Sequence, residues 1–154
     1  MTLAIGDAIP AVKLLDADGA TIDLAAMKGA PLVVYFYPKA DTPGCTTEAQ
    51  DFTRLAPEFA HLKAQVLAVS RDAPAKLCKF RDKYGLTVRL ASDEDGAVCE
   101  AFGTWVEKRN YGRTYMGIER STFLFGADGK LAKEWRKVRV KGHADAVFEA
   151  AKAL

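Results

Sequence analysis

The run Pro31-Leu-Val-Val-Tyr-Phe-Tyr37 constrains the fold more than any other stretch of the chain. It is β-branched and aromatic with almost no polar interruption, the pattern of a strand covered on both faces. Such a strand belongs in the middle of a sheet, so other elements must pack on either side of it. Pro38 ends it. After a loop, Ala49, Phe52, Ala56 and Phe59 recur at helical spacing, which predicts an amphipathic helix through this segment.

The rest of the chain repeats the alternation. Val12–Leu15 and Thr21–Leu24 flank Asp16-Ala17-Asp18-Gly19, a hairpin signal. Gln65–Ser70 reads as a second central strand. Leu77, Phe80 and Tyr84 mark a helix that Gly85 closes. Val88–Ala91 is a short strand, Asp95–Phe102 a short helix, and residues 103–119 a long loop rich in Gly, Tyr and Arg. Ser121–Phe125 and Leu131–Val138 flank Ala127-Asp128-Gly129-Lys130 as a second hairpin. A last helix carries Val147, Ala150, Ala151 and Leu154 on one face. The order ββ–β–α–β–α–β–α–β–β–α is mixed α/β: a central mixed sheet flanked by helices, thioredoxin-like in outline, with an N-terminal β-hairpin extension.

No repeat, linker or low-complexity tract divides the 154 residues, so residues 1–154 are read as a single domain. The formal charge of +2 is too small to point to nucleic acid as a partner. No stretch has the apolar length of a membrane span, and Met1–Pro10 lacks the basic and apolar regions of a secretory signal. The expected location is therefore cytoplasmic. Cys45, Cys78 and Cys99 are odd in number and widely spaced, which argues against a structural disulfide framework. A metal site is not expected either, since there is no C-x2-C pair and His61 and His143 sit at no ligand spacing.

Chemistry concentrates in Pro38-Lys-Ala-Asp-Thr42-Pro43-Gly44-Cys45-Thr-Thr-Glu48, between the buried strand and the amphipathic helix. Thr42 suits the N-cap and Pro43 the first helical position. Cys45 then falls in the first turn, where unpaired N–H groups and the helix dipole favour an anion. Gly44 leaves room for a small reactant beside the backbone. Disulfide exchange normally uses C-x-x-C, and here the spacing gives Cys45-Thr-Thr-Glu48. Acyl transfer needs a histidine base, and neither His61 nor His143 is placed to serve. Attack on a peroxide oxygen needs only a thiolate and donors for the two oxygens, and fits best.

Pro38-x3-Thr42-x2-Cys45 resembles the active-site signature of the peroxiredoxins, and Tyr35–Glu48 resembles the peroxiredoxin Q (bacterioferritin comigratory protein) group. Similar pieces run along the chain: Gly6–Pro10, Val69–Asp72, Ser92–Gly96 and Gly117–Phe123. The resemblance implies a thiol-dependent peroxidase acting on hydrogen peroxide and small organic hydroperoxides, with no cofactor. It makes Cys45 the peroxidatic thiol and gives Thr42 a hydrogen bond to thiolate and substrate. It gives Pro38 the shielding of sulfur from water, and Arg120 the holding of the developing charge. Glu48 either orients Arg120 or is an ordinary first-turn acid. Thioredoxin or a similar dithiol is the implied reductant, and a monomer the implied state. A non-enzymatic redox sensor or holdase would use the same cysteine and is the alternative.

The chain departs from the group at the second cysteine. Position 50 is Gln50, and in ungapped comparison the other usual position is Arg81, not Cys78. Cys78 lies three residues away on the same side of the helix. It either resolves the Cys45 sulfenic acid by a disulfide, with the first turn of the Cys45 helix unwinding, or is a bystander in a one-cysteine cycle. Cys99, between Val98 and Phe102, reads as a packed thiol. The Trp105–Arg113 loop, with Lys108, Arg109 and Tyr111, is expected to border the site. Neither a Gly-Gly-Leu-Gly insertion nor a C-terminal Tyr-Phe is present, so resistance to overoxidation is expected.

Overall fold

A computed structural model describes residues 3–154. The predicted central strand is β3 (Leu32–Phe36), with all five residues buried. β4 (Gln65–Ser70) pairs parallel with it on one side, and β8 (Ser121–Phe125) pairs antiparallel on the other. β5 (Arg89–Ser92) continues the parallel set beside β4. The N-terminal hairpin, β1 (Lys13–Asp16) and β2 (Thr21–Asp23), joins antiparallel to β5, and β9 (Leu131–Trp135) joins β8. The sheet order is β2-β1-β5-β4-β3-β8-β9.

The two-residue period of β3 sorts the core into two layers. Val33 and Tyr35, followed by Tyr37, pack with Phe52, Phe59, Leu77, Phe80 and Val147. These come from α1 (Pro43–Arg54), α2 (Ala56–His61), α3 (Pro74–Tyr84) and α5 (His143–Lys152). Leu32, Val34 and Phe36 face the other way, onto Phe123, Phe125 and the side chains Val98, Cys99 and Phe102 of α4 (Ala97–Phe102). Cys45 belongs to the first layer and Cys99 to the second.

Three expectations are corrected. The single helix through Ala49–Phe59 is two, α1 and α2, meeting at Leu55. Pro57 lacks the N–H that would bond back to Thr53, and it restricts Ala56 ahead of it, so the ladder breaks there while the apolar stripe continues. The expected loop at 103–119 contains a two-stranded hairpin, β6 (Trp105–Asn110) and β7 (Arg113–Ile118). Tyr111 and Gly112 make its turn with φ of +51° and +75°, the left-handed pair that matches strand twist in a two-residue hairpin loop. Finally, α5 ends at Lys152 and leaves Leu154 exposed, off the face assigned to it.

Candidate active site

Thr42 is the N-cap of α1 with extended backbone (φ −98°, ψ 155°), and Pro43 occupies the first helical position. The first intrahelical bond runs from Thr46 N–H to Thr42 C=O at 2.8 Å. The N–H groups of Gly44 and Cys45 therefore precede the ladder, at the positive end of the helix dipole. The Thr42 hydroxyl does not cap them. It donates to the Lys39 carbonyl at 2.8 Å, so its proton goes to the loop and not to the Cys45 sulfur. Pro38 is exposed at the start of that loop.

Two carboxylates hold the loop in place. Asp72 accepts the Ala40 N–H and the Ser70 hydroxyl, both at 2.8 Å. Asp41, at φ +62°, accepts Lys83 Nζ at 2.9 Å and the Tyr84 hydroxyl. Hydrogen bonding from Lys83, then Tyr84, lowers the Asp41 pKa and keeps it anionic.

Cys45 is nearly enclosed, at 2% exposure. Arg120, between β7 and β8, reaches it from the far side of the chain. Its Nη2 lies 3.3 Å from Cys45 Sγ, while Nη1 donates to Glu48 Oε1 at 2.6 Å. The Arg120 carbonyl accepts the Val138 N–H at 3.0 Å, which pins the backbone below the guanidinium. Burial works against the cation, but Glu48 and the Cys45 sulfur outweigh it and raise the Arg120 pKa. Glu48 is therefore buried and paired with Arg120, and is not a solvated first-turn acid. Its burial lifts the carboxyl pKa to about 7 even with Arg120 pulling it down. Oε2 has no hydrogen-bond partner, which is one reason the charged form is poorly solvated.

His143 lies behind this group, its Nε2 2.7 Å from the Thr122 hydroxyl. Burial first, then the charge of Arg120, depress its pKa to about 4, so it is neutral at ordinary pH. No hydrogen bond joins it to Cys45 among the described residues, and it is not a base for the thiol.

The other cysteines stand apart. Cys78 is partly buried on α3 and hydrogen-bonded to its own helix: Arg81 Nη2 donates to its sulfur at 3.4 Å. Arg81 in turn pairs with Asp18 in the turn of the N-terminal hairpin. Position 81 and Cys78 thus share a side of the helix, as their spacing predicts. Cys99 is fully buried, and burial followed by Asp93 pushes its thiol pKa far up. Among the described residues no group of three or more His, Cys, Asp or Glu could hold a metal ion.

The structure adds to the reading of two residues near the site. Gly44 makes room for protein, not only for substrate: a Cβ there would stand 3.3 Å from Arg120 Nη2. Lys108 of β6 lies within electrostatic reach of Arg120 and Cys45. Its signal was present in the basic segment after Trp105, but the inward turn of one lysine depends on the hairpin register.

A thiol at a helix start beside a doubly bonded arginine can attack a small electrophilic oxygen. Comparison with known proteins decides the family. Residues 5–134 match the AhpC/TSA family model. Peroxiredoxin Bcp of Bacillus subtilis is 46% identical over 154 residues, 100% of this chain and 98% of the relative. The chain belongs to the AhpC/TSA family, among its Bcp-type peroxiredoxins. Two solved relatives agree over nearly their whole length. The bacterioferritin comigratory protein of Xanthomonas campestris, studied for alkyl peroxide reduction, matches with a TM-score of 0.89 at 47% identity, over 96% of this chain and 98% of that one. A cysteine-to-serine variant of Xylella fastidiosa PrxQ matches with a TM-score of 0.94 at 39% identity, over 99% and 98% of the two chains. This peroxiredoxin is accordingly a thiol-dependent peroxidase with a thioredoxin-like fold.

Proposed function

We propose that this peroxiredoxin reduces hydrogen peroxide and small organic hydroperoxides at Cys45, with Arg120, Thr42, Pro38 and Glu48 serving the sulfur. The observation that carries this reading is the forked contact of Arg120 with Cys45 Sγ at 3.3 Å and Glu48 at 2.6 Å. The Cys45 thiolate attacks the terminal oxygen of the peroxide. The S–O bond forms as the O–O bond breaks, the attacked oxygen keeps its hydrogen as Cys45 sulfenic acid, and the departing oxygen takes a proton from water. Arg120 Nη2 holds the negative charge while it passes from sulfur to oxygen, and fixed donors of this kind supply the largest rate term in many enzymes. Thr42, with its proton committed to Lys39, has lone pairs left to accept from the peroxide O–H. Pro38, at the head of the loop, screens sulfur from water. Glu48 sets the angle of the guanidinium.

Cys78 resolves the sulfenic acid. Its sulfur condenses with Cys45, water leaves, and a Cys45–Cys78 disulfide forms. Disulfide Cα atoms lie about 4.4–6.8 Å apart, so the first turn of α1 unwinds to bring the two together. Thioredoxin or a similar dithiol protein then restores both thiols. The chain works as one domain over residues 1–154, as a monomer, in the cytoplasm.

Intact mass and peptide mapping after one equivalent of hydrogen peroxide test the cycle. A loss of about 2 Da with Cys45 joined to Cys78 supports it. A gain of about 16 Da on Cys45 assigns a one-cysteine cycle instead. Many turnovers per thiol with a dithiol reductant separate the peroxidase from a sensor that reacts once.

A further inference from the structure

The fork that joins Arg120 to Cys45 and Glu48 has a counterpart on α3. Arg81 turns its Nη2 to the sulfur of Cys78 at 3.4 Å and its Nη1 to both carboxylate oxygens of Asp18, each at 3.1 Å. Arg120 divides its two nitrogens in the same way, Nη2 to sulfur and Nη1 to a carboxylate. Cys45 and Cys78 thus each meet one arm of an arginine whose other arm is held by an acid.

The second fork is assembled locally and then anchored from a distance. Cys78 and Arg81 stand three residues apart on α3, so the helix itself lays the guanidinium beside the sulfur. Asp18 comes from the turn between β1 and β2, and Asp16 shapes that turn. Asp16 Oδ1 accepts the Asp18 and Ala20 N–H groups, both at 2.9 Å, while its Oδ2 accepts Arg89 Nη2 of β5 at 3.3 Å. Asp18 is therefore presented to Arg81 from a fixed backbone. On the helix side, Arg81 Nε donates to Asp82 Oδ1 at 3.2 Å, and the Cys78 thiol donates to Asp82 Oδ2 at 3.8 Å. The sulfur has a cation against it and a proton acceptor within reach. Ion pairs this exposed add little to stability, and the reactive group that Arg81 touches is Cys78.

We propose that Arg81, anchored by Asp18, is the positioning residue of Cys78 and holds its sulfur for attack on the Cys45 sulfenic acid, a role that rests on Cys78 being the resolving thiol. In that step the Cys78 sulfur bonds to the Cys45 sulfur as the Cys45 S–O bond breaks. The oxygen leaves with the bonding pair and departs as water, carrying the proton that the Cys78 thiol gives up by way of Asp82. Cys78 is oxidised and Cys45 is reduced to the disulfide level. Arg81 meets the negative charge on Cys78 between loss of the proton and formation of the bond. Unwinding of α1 leaves this contact in place, because it lies within α3. The N-terminal hairpin enters the cycle through Asp18.

Reduced protein mixed rapidly with one equivalent of hydrogen peroxide, then quenched and mapped by peptide mass, gives the rate at which the Cys45–Cys78 disulfide follows the sulfenic acid. Arg81→Gln should slow that closure about five-fold, the scale of one exposed charged hydrogen bond. Arg81→Lys should recover part of the rate, and Asp18→Asn, which leaves α3 untouched, should slow closure about two-fold. A second readout needs no peroxide. The ratio of iodoacetate to iodoacetamide rates at Cys78 senses charge and is insensitive to loosening; it should fall about three-fold in Arg81→Gln and recover in Arg81→Lys. Closure as fast in Arg81→Gln as in wild type would overturn the proposal. A wild type that stops at the sulfenic acid would overturn the resolving reading itself, and a ratio still dependent on Arg81 would then show that the contact exists but does not serve closure.

Discussion

Gly44 lies directly against Arg120: a methyl group at residue 44 would press on Nη2, the same nitrogen that touches the Cys45 sulfur. The glycine is helical and carries no positive φ, so the backbone itself accepts alanine. Gly44→Ala should therefore divide two properties that most substitutions move together. Stability should hold or rise by up to about 1 kcal/mol, the helix preference of alanine over glycine. The second-order rate of Cys45 with hydrogen peroxide should fall about ten-fold or more as the guanidinium shifts. Thermal melting and stopped-flow oxidation on one sample check both halves.

Arg120→Lys keeps the charge and removes the fork. Lysine offers a single point donor and cannot bond Glu48 and Cys45 along two fixed directions. A rate loss of about 10²-fold is expected, comparable with removal of one donor to developing charge. A variant within two-fold of wild type would show that charge alone suffices at residue 120.

Glu48 and His143 make opposite contributions to the pH dependence of stability. The Glu48 pKa is raised from 4.5 to about 7, so the folded state holds its proton more tightly than the unfolded chain does. Stability from this group is lost as pH rises from 4.5 through 7. The His143 pKa is lowered from 6.5 to about 4, so the folded state resists protonation there, and stability is lost as pH falls from 6.5 through 4. Each effect spans about 3 kcal/mol, and over pH 4.5–6.5 they largely cancel. Relative to wild type, Glu48→Gln should gain stability steadily across that window with rising pH, and His143→Gln should lose it. Urea unfolding at several pH values measures both slopes, and parallel profiles for the two variants would contradict the assignment.

Cys99 should be silent toward thiol reagents in the folded protein. It has no exposed surface, and burial together with Asp93 holds the thiol protonated. Cys99→Ser should cost about 1–2 kcal/mol of stability, because a hydroxyl replaces a small apolar group in the layer of Phe102 and Val98. Peroxidase rate should stay within two-fold. Native-state labelling with iodoacetamide, before and after denaturant, tests the first point.

The parts of the fold legible in the sequence were those whose pattern reflects burial. β3 announced itself because both of its faces are covered, and α3 because Leu77 and Phe80 recur on a face that Gly85 terminates with φ +61°. The β6–β7 hairpin was illegible for the opposite reason. Its strands hold Glu107, Arg109, Arg113 and Thr114, a solvated edge with no apolar period, and its turn is Tyr-Gly in place of the familiar Asn-Gly. Cys45, Thr42 and Pro43 could be placed at a helix start from local chemistry. The pairing of Glu48 with Arg120 was one of two alternatives that local chemistry could not separate, because a contact across 72 positions depends on how β8 lies beside β3. The proton of Thr42 was misplaced for a similar reason: the competing acceptor, the Lys39 carbonyl, is set by the bend of the loop.

Cys45 packs in the same apolar layer as Phe52, Phe59 and Val147, so the thiol proposed to meet peroxide is part of the core that holds the molecule together. Every oxygen transferred to that sulfur enlarges and polarises a close-packed interior, where even one extra methylene is felt. Catalysis and cohesion thus draw on one reservoir. On the proposed cycle the interior should soften on oxidation and anneal on reduction, so the melting temperature should track the oxidation state of a single atom.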